Sequence, residues 1–137
     1  KLFVAGDYKP AIIVPDNVVL LGRVSDQDLL AGFYSMADVT VITSKRETFS
    51  MICAESLCCG TPVVGFKAGG PESICIDEYC EFVEYGNAED LEKALKNALS
   101  VEKSDKISKL AFNKYKKENM FDSYTALYNR LLGERGV

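Results

Sequence analysis

The chain has 137 residues, 47% hydrophobic and 26% charged, with 16 basic against 20 acidic side chains and a net charge of −4. Seven Phe, seven Tyr and only four Pro allow a buried core, which excludes wholesale disorder and fits one globular unit. The acidic balance gives no overall field for nucleic acid, no apolar run approaches the roughly 20 residues of a membrane span, and the absence of His excludes a His base, a Ser-His-Asp triad and any His-containing zinc site.

The chain enters an apolar run directly from Lys1, without Met, and reads as a piece of something longer; Lys1 to Asp7 is a strand-like run cut short by a turn and not a signal peptide. Apolar, β-rich runs recur at 2–5, 18–21, 39–43, 63–66 and 82–84, with helical patterns between them. They are apolar at consecutive positions, as in strands covered on both faces, so a doubly wound, Rossmann-like parallel sheet is expected. Residues 6–17 fit least well: Pro10 and Pro15 deny them a helix of normal length, leaving an irregular or incomplete crossover.

Ser25 with Asp28 resembles a capping box, and Leu29, Phe33, Met36 and Ala37 follow at helical spacing, predicting a helix over 25–37. Cysteines stand at 53, 58, 59, 75 and 80 without C-x-x-C spacing and read as reduced, buried small hydrophobes, which points to a reducing cytoplasm. Asn87 with Asp90 starts a helix over 88–99 with Leu91, Ala94, Leu95, Ala98 and Leu99 on one face. From Lys103 to Lys117 six lysines interleave with Ile107, Leu110, Ala111 and Tyr115, either a basic face for weak contact with an anionic membrane or a solvated helix face. Asp122 is suited to cap a last helix whose stripe is Tyr124, Leu127, Tyr128, Leu131 and Leu132.

The chemically informative stretch is 43–64. A strand ends near Thr43, a loop carries Glu47, and a helix starts near Phe49 or Ser50 and stops at Gly60, Thr61 and Pro62. This places a helix start at the carboxyl edge of a parallel strand, where ligands bind and where amides and helix dipole favour a phosphate. Met51, Ile52, Cys53, Ala54, Leu57, Cys58 and Cys59 cover nearly every side of that helix, so Glu55 is a carboxylate among apolar neighbours. It needs a partner, either sugar hydroxyls or a basic residue in a buried ion pair. Glu47 and Glu55 are eight residues apart, on the order of 12 Å if the span is mostly helical, too far for a carboxylate dyad but suited to opposite ends of an extended ligand.

These residues resemble the C-terminal, donor-binding domain of retaining GT-B glycosyltransferases of family 4. The likeness rests on Glu47 and Glu55 with Ser44, Phe49 and Ser50 around them, Gly60 to Val64, and Gly69 to Glu72. Val19 to Ser25, Ala37 to Val39 and Asn87 to Leu91 extend it over most of the chain. The resemblance implies that residues 1–137 are a donor-binding domain, truncated at its N-terminal side, with the acceptor-binding domain absent. Its ligand is implied to be a nucleotide-diphosphate sugar, with no cofactor, in glycan or polysaccharide biosynthesis; no metal is expected either, on the reading that the chain carries no Asp-x-Asp signature.

By the same resemblance Glu47 lies by the donor sugar near the reacting carbon and Glu55 accepts from the ribose hydroxyls. The loop from Thr48 and the amides of Phe49, Ser50 and Met51 meet the diphosphate or sugar, and the backbone at Arg23 and Val24 holds the base. Gly69 and Gly70 let the main chain pass close to a ligand or simply make a tight turn. The chain departs from the pattern in having Thr48 where many members have Gly and in placing Glu72 one residue early, and the basic pair that grips the diphosphate is not recognisable. The expected activity is retaining sugar transfer, with the isolated piece inactive. The rivals are a nucleotide-sugar epimerase of the same fold and a non-catalytic binding module in which Glu55 is a structural ion pair.

Overall fold

Five strands, each parallel to the strands it pairs with, form two sheets in a computed structural model that describes residues 1–8 and 13–134. They are β1 Leu2–Ala5, β2 Val18–Gly22, β3 Thr40–Ile42, β4 Val63–Phe66 and β5 Cys80–Val83. β3, β4 and β5 are hydrogen-bonded in chain order, with Thr40 opposite Val63 and Val63 opposite Cys80. β1 and β2 pair only with each other, Leu2 opposite Val18, with a bulge between Val4 and Ala5. The parallel α/β class is as expected, but one continuous sheet is not: apolar runs fix where strands form, whereas the choice of neighbour depends on how the crossovers pack. Part of the 6–17 crossover lies outside the described residues.

The helices are α1 Gln27–Met36, α2 Met51–Cys58, α3 Gly70–Ile74, α4 Ala88–Leu99, α5 Asp105–Tyr115 and α6 Lys117–Glu134, with a 3₁₀ turn at Asp77–Tyr79. The β3–β4–β5 sheet is covered on both faces. On one, Ile42 and Val63 pack with Cys53 and Leu57 of α2 and Ile107 and Ala111 of α5; on the other, Val64 packs with Ala94 and Ala98 of α4. Coverage of every strand does not hold: β4 is buried, but Leu2 and Phe3 of β1 are 48% and 42% exposed. α2 likewise buries Cys53, Ala54, Ser56 and Leu57 while Met51, Ile52 and Cys58 face outward, so it is not buried all round. All five cysteines are free thiols; Cys53 is buried and Cys58 is exposed, against the expectation that all are core residues.

The start of α1 is set by Asp26, whose carboxylate accepts from Leu29 N at 3.0 Å, one residue later than a Ser25 cap. Its half-buried stripe is Leu30, Phe33, Tyr34 and Ala37, while Leu29 and Met36 are exposed. Both stripes have helical spacing, and the second wins because a Tyr ring buries as well as Leu while its hydroxyl finds a partner. α2 ends in a Schellman motif: Gly60 has φ +79°, its N–H donates to Leu57 O at 2.9 Å, and Thr61 N donates to Ser56 O at 3.0 Å. α4 starts as predicted, with the Asn87 side chain accepting from Asp90 N.

α6 starts at Lys117 and not at Asp122, because extended backbone at Lys116 already ends α5. Its Tyr124 to Leu132 stripe is exposed and does not enter the core. Three of the six lysines are held by acceptors of the protein: Lys103 by Ala37 O, Lys106 by Glu78 and Lys114 by Cys75 O. Among the described residues no helix is long and apolar enough to cross a membrane.

Candidate functional site

Beyond the carboxyl ends of β3 and β4 the chain keeps pairing. Glu47 and Gly69 form an isolated parallel bridge in which Glu47 N donates to Ala68 O at 2.9 Å and Gly70 N donates to Glu47 O at 3.0 Å. The two loops thus prolong the sheet by one rung, holding the Glu47 backbone at the edge where α2 begins. Gly70 is required for this closeness: a Cβ there would stand 2.7 Å from Thr48 C and 2.8 Å from Phe49 N, both backbone atoms. Gly69 N is also taken, by the Glu72 carboxylate at 2.9 Å, as the cap of α3. Both glycine amides are therefore spent within the protein, and the glycine pair serves the approach of one loop to the other.

α2 opens on Ser50, which has φ 71° and ψ 77°, the left-handed conformation that non-glycine residues seldom adopt. It is 3% exposed, and its hydroxyl has no hydrogen-bond partner among the described residues. Cys53 N and Ala54 N donate to Ser50 O, so the amides of Met51 and Ile52 precede the intrahelical ladder and are the open donors of this helix start. Phe49, Met51 and Ile52 form an exposed apolar rim around it. Only Met51 onward is helical, so the Glu47-to-Glu55 span is part loop.

Glu55 is half-buried, and its partner is neither a base nor one of the cations: the Tyr34 hydroxyl of α1 donates to Glu55 Oε2 at 3.1 Å. Burial, reinforced by the Glu55 charge, pushes the Tyr34 phenol well above its ordinary value, so it stays a donor. The buried ion pair envisaged for Glu55 is absent among the described residues. Tyr34 is the residue that sequence reasoning missed; its signal was its place on the half-buried stripe of α1, i+4 from Leu30 and i−3 from Ala37.

Arg23, exposed, and Val24, half-buried, follow β2 after Gly22 and precede the Asp26 cap, on the separate two-stranded sheet. Along the main edge, Lys67 pairs with Glu84 at 2.5 Å, and Lys45 lies 5.7 Å over the Tyr85 ring, which packs edge-on against Phe66. The expectation that the chain lacks an Asp-x-Asp pattern is wrong, since Asp26 and Asp28 have that spacing, but Asp26 is committed to capping α1. Among the described residues no cluster of three or more carboxylates and thiols is placed to hold a metal. Clefts of about 350 and 510 Å³ lie elsewhere, one by Pro62, Glu81 and Asn97 and one by Ser73, Leu110 and Lys114; neither is lined by Glu47, Ser50 or Glu55.

Comparison with known proteins gives a consistent picture. A family described as Glycosyl transferases group 1 matches residues 11–118. A D-inositol 3-phosphate glycosyltransferase of Thermomonospora curvata is 54% identical over 44 residues, 32% of this chain and 10% of that protein. The N-acetyl-alpha-D-glucosaminyl L-malate synthase of Bacillus anthracis is 26% identical over 125 residues, 87% of this chain and 32% of that protein. Among solved structures, Anabaena Alr3699/HepE in complex with UDP-glucose aligns with a TM-score of 0.64 at 19% identity, covering 84% of this chain and 33% of that one. The chain thus spans a third or less of the length of these proteins.

Proposed function

The chain belongs to the glycosyl transferases group 1 family, and on that premise we propose that it is the donor-binding half of an enzyme moving a hexose-type sugar from a nucleotide diphosphate to an acceptor, with retention of configuration. The observation that carries this reading is the meeting of the Glu47 bridge with the open start of α2 at the carboxyl edge of β3 and β4. That edge is where open parallel sheets bind ligands, and helix amides with the macrodipole favour the diphosphate there. In this reading the amides of Phe49, Ser50 and Met51 face the diphosphate or sugar hydroxyls, Thr48 lines the same loop, Glu55 accepts from the ribose, and the Arg23–Val24 backbone holds the base. Gly69 and Gly70 set the loop that carries Glu47. The related HepE structure contains UDP-glucose, which supports the donor class.

Bond breaking leaves positive charge on the sugar ring and negative charge on the departing phosphate. The contribution required of this half is therefore electrostatic: helix amides at the phosphate and the Glu47 carboxylate at the ring. No metal is assigned to the reaction, and the acceptor is bound by the other domain, so this piece binds donor without transferring it. In this reading the chain works in the cytoplasm, in keeping with its five free thiols.

Titration calorimetry with nucleoside diphosphates, with and without EDTA, tests the reading. Binding is expected and is expected to be insensitive to EDTA. Glu55→Gln should weaken it by on the order of 1.5–3 kcal/mol, because a charge-assisted bond to the ribose is lost. Unchanged affinity in a folded Glu55→Gln protein removes Glu55 from the nucleotide site.

A further inference from the structure

A polar chain runs through the half of the molecule behind α2. The Thr40 and Ser56 hydroxyls lie 2.8 Å apart, the Ser56 hydroxyl donates to Thr61 O at 3.0 Å, and the Thr61 hydroxyl donates to Tyr34 O at 2.6 Å. Ser56 and Thr61 are fully buried, the bond between them is shielded from water, and the chain of bonds fixes β3, the end of α2 and the backbone of α1 at Tyr34 relative to one another. Lys103 adds a bond to Ala37 O at 2.8 Å, closing the last turn of α1. The Tyr34 ring leaves this anchored backbone and delivers its hydroxyl to Glu55 Oε2.

Glu55 sits one residue before Ser56, on the helix that the network holds, so both ends of the Tyr34–Glu55 contact are positioned from the same buried frame. Only one carboxylate oxygen is used. Glu55 Oε1 has no protein partner among the described residues, and an ionised carboxylate accepts at both oxygens.

We propose that Tyr34 is a positioning residue for donor binding: its hydroxyl holds Glu55 Oε2, fixing the carboxylate so that Oε1 faces the hydroxyl pair of the donor's ribose. This rests on the reading of Glu55 as the ribose acceptor. A flexible Glu side chain in the absence of that bond spends its rotamers on many directions, and each bond to the ribose then costs more ordering. The raised phenol value keeps the donor proton in place throughout the neutral range. A tyrosine present only to join α1 to α2 would act on folding and leave ligand choice alone.

The test compares affinities of the 137-residue chain for ADP, GDP, UDP and CDP, each beside its 2′-deoxy counterpart. The readout is the ribo-to-deoxy ratio for whichever base binds best. The unaltered protein is expected to favour the ribose form, Glu55→Gln to abolish the preference, and Tyr34→Phe to cut it by roughly 3–10-fold, the size of one net hydrogen bond. Tyr34→Phe in the Glu55→Gln background is expected to change the ratio no further. Tyr34→Gln, which returns an N–H donor, is expected to recover part of the ratio.

The proposal is overturned if Tyr34→Phe lowers the melting temperature but keeps the full ratio. If Tyr34→Phe does not fold, Tyr34→Met, which also lacks a donor, is read in its place, and a full ratio there overturns the proposal in the same way. Failure of all four nucleotides to bind, or a ratio untouched by Glu55→Gln, sinks the ribose reading itself, which is a different result from a ratio that depends on Glu55 and ignores Tyr34.

Discussion

Ser50 joins two costs in one residue: a left-handed backbone and a buried hydroxyl without a partner. The conformation costs a residue with a Cβ roughly 1–2 kcal/mol, and the unpaired hydroxyl roughly 1–3 kcal/mol. Glycine removes both and returns only about 0.4–1 kcal/mol through the greater entropy of the unfolded chain. Ser50→Gly is therefore expected to raise stability by about 1 kcal/mol or more, read from urea midpoints at constant slope. A lower midpoint would mean that the serine is held by contacts that outweigh its strain. Strain of this kind gathers at functional sites, and here it stands at the start of α2, beside the open amides of Met51 and Ile52.

At the scale of elements, the short α3 depends on Glu72. Burial raises its carboxyl, but the amides of Glu72, Ala68 and Gly69 and the charge of Lys67 outweigh that and hold it below its ordinary value of 4.5. With the folded-state value depressed, ionised Glu72 contributes stability that is present above the unfolded value and is lost as pH falls through the folded one. Glu72→Gln should therefore be less stable than the parent at about pH 7 and should converge with it as pH falls through the depressed folded-state value, as urea midpoints would register. An undiminished gap at the acid end would assign the effect to packing and not to charge. Glu72 thus acts on the candidate site indirectly, by fixing Gly69 opposite Glu47.

At the scale of the whole molecule, the proposed division of labour separates the two glutamates. In the complete enzyme, Glu47→Ala is expected to lower kcat on the order of 100-fold or more with little change in nucleotide affinity, because Glu47 is assigned to the sugar and not to the nucleotide. Equal turnover of the two proteins in a coupled transfer assay would take Glu47 out of the reaction.

The sequence by itself determined what local chemistry controls. It located five strands within a few residues, the Asn87 cap of α4, the Gly60 stop of α2 and a helix start beside Glu47, since each follows from short-range backbone preferences and apolar spacing. It also singled out Glu55 as a carboxylate in need of a partner. Which partner was decided only by tertiary structure, because Tyr34 lies 21 residues away on another helix and meets Glu55 through the packing of α1 on α2. The same holds for the split of the strands into two sheets, the exposed face of α6 and the use of both glycine amides within the 47–70 bridge. Those features depend on which surfaces meet, and periodicity along one chain records only that a surface exists.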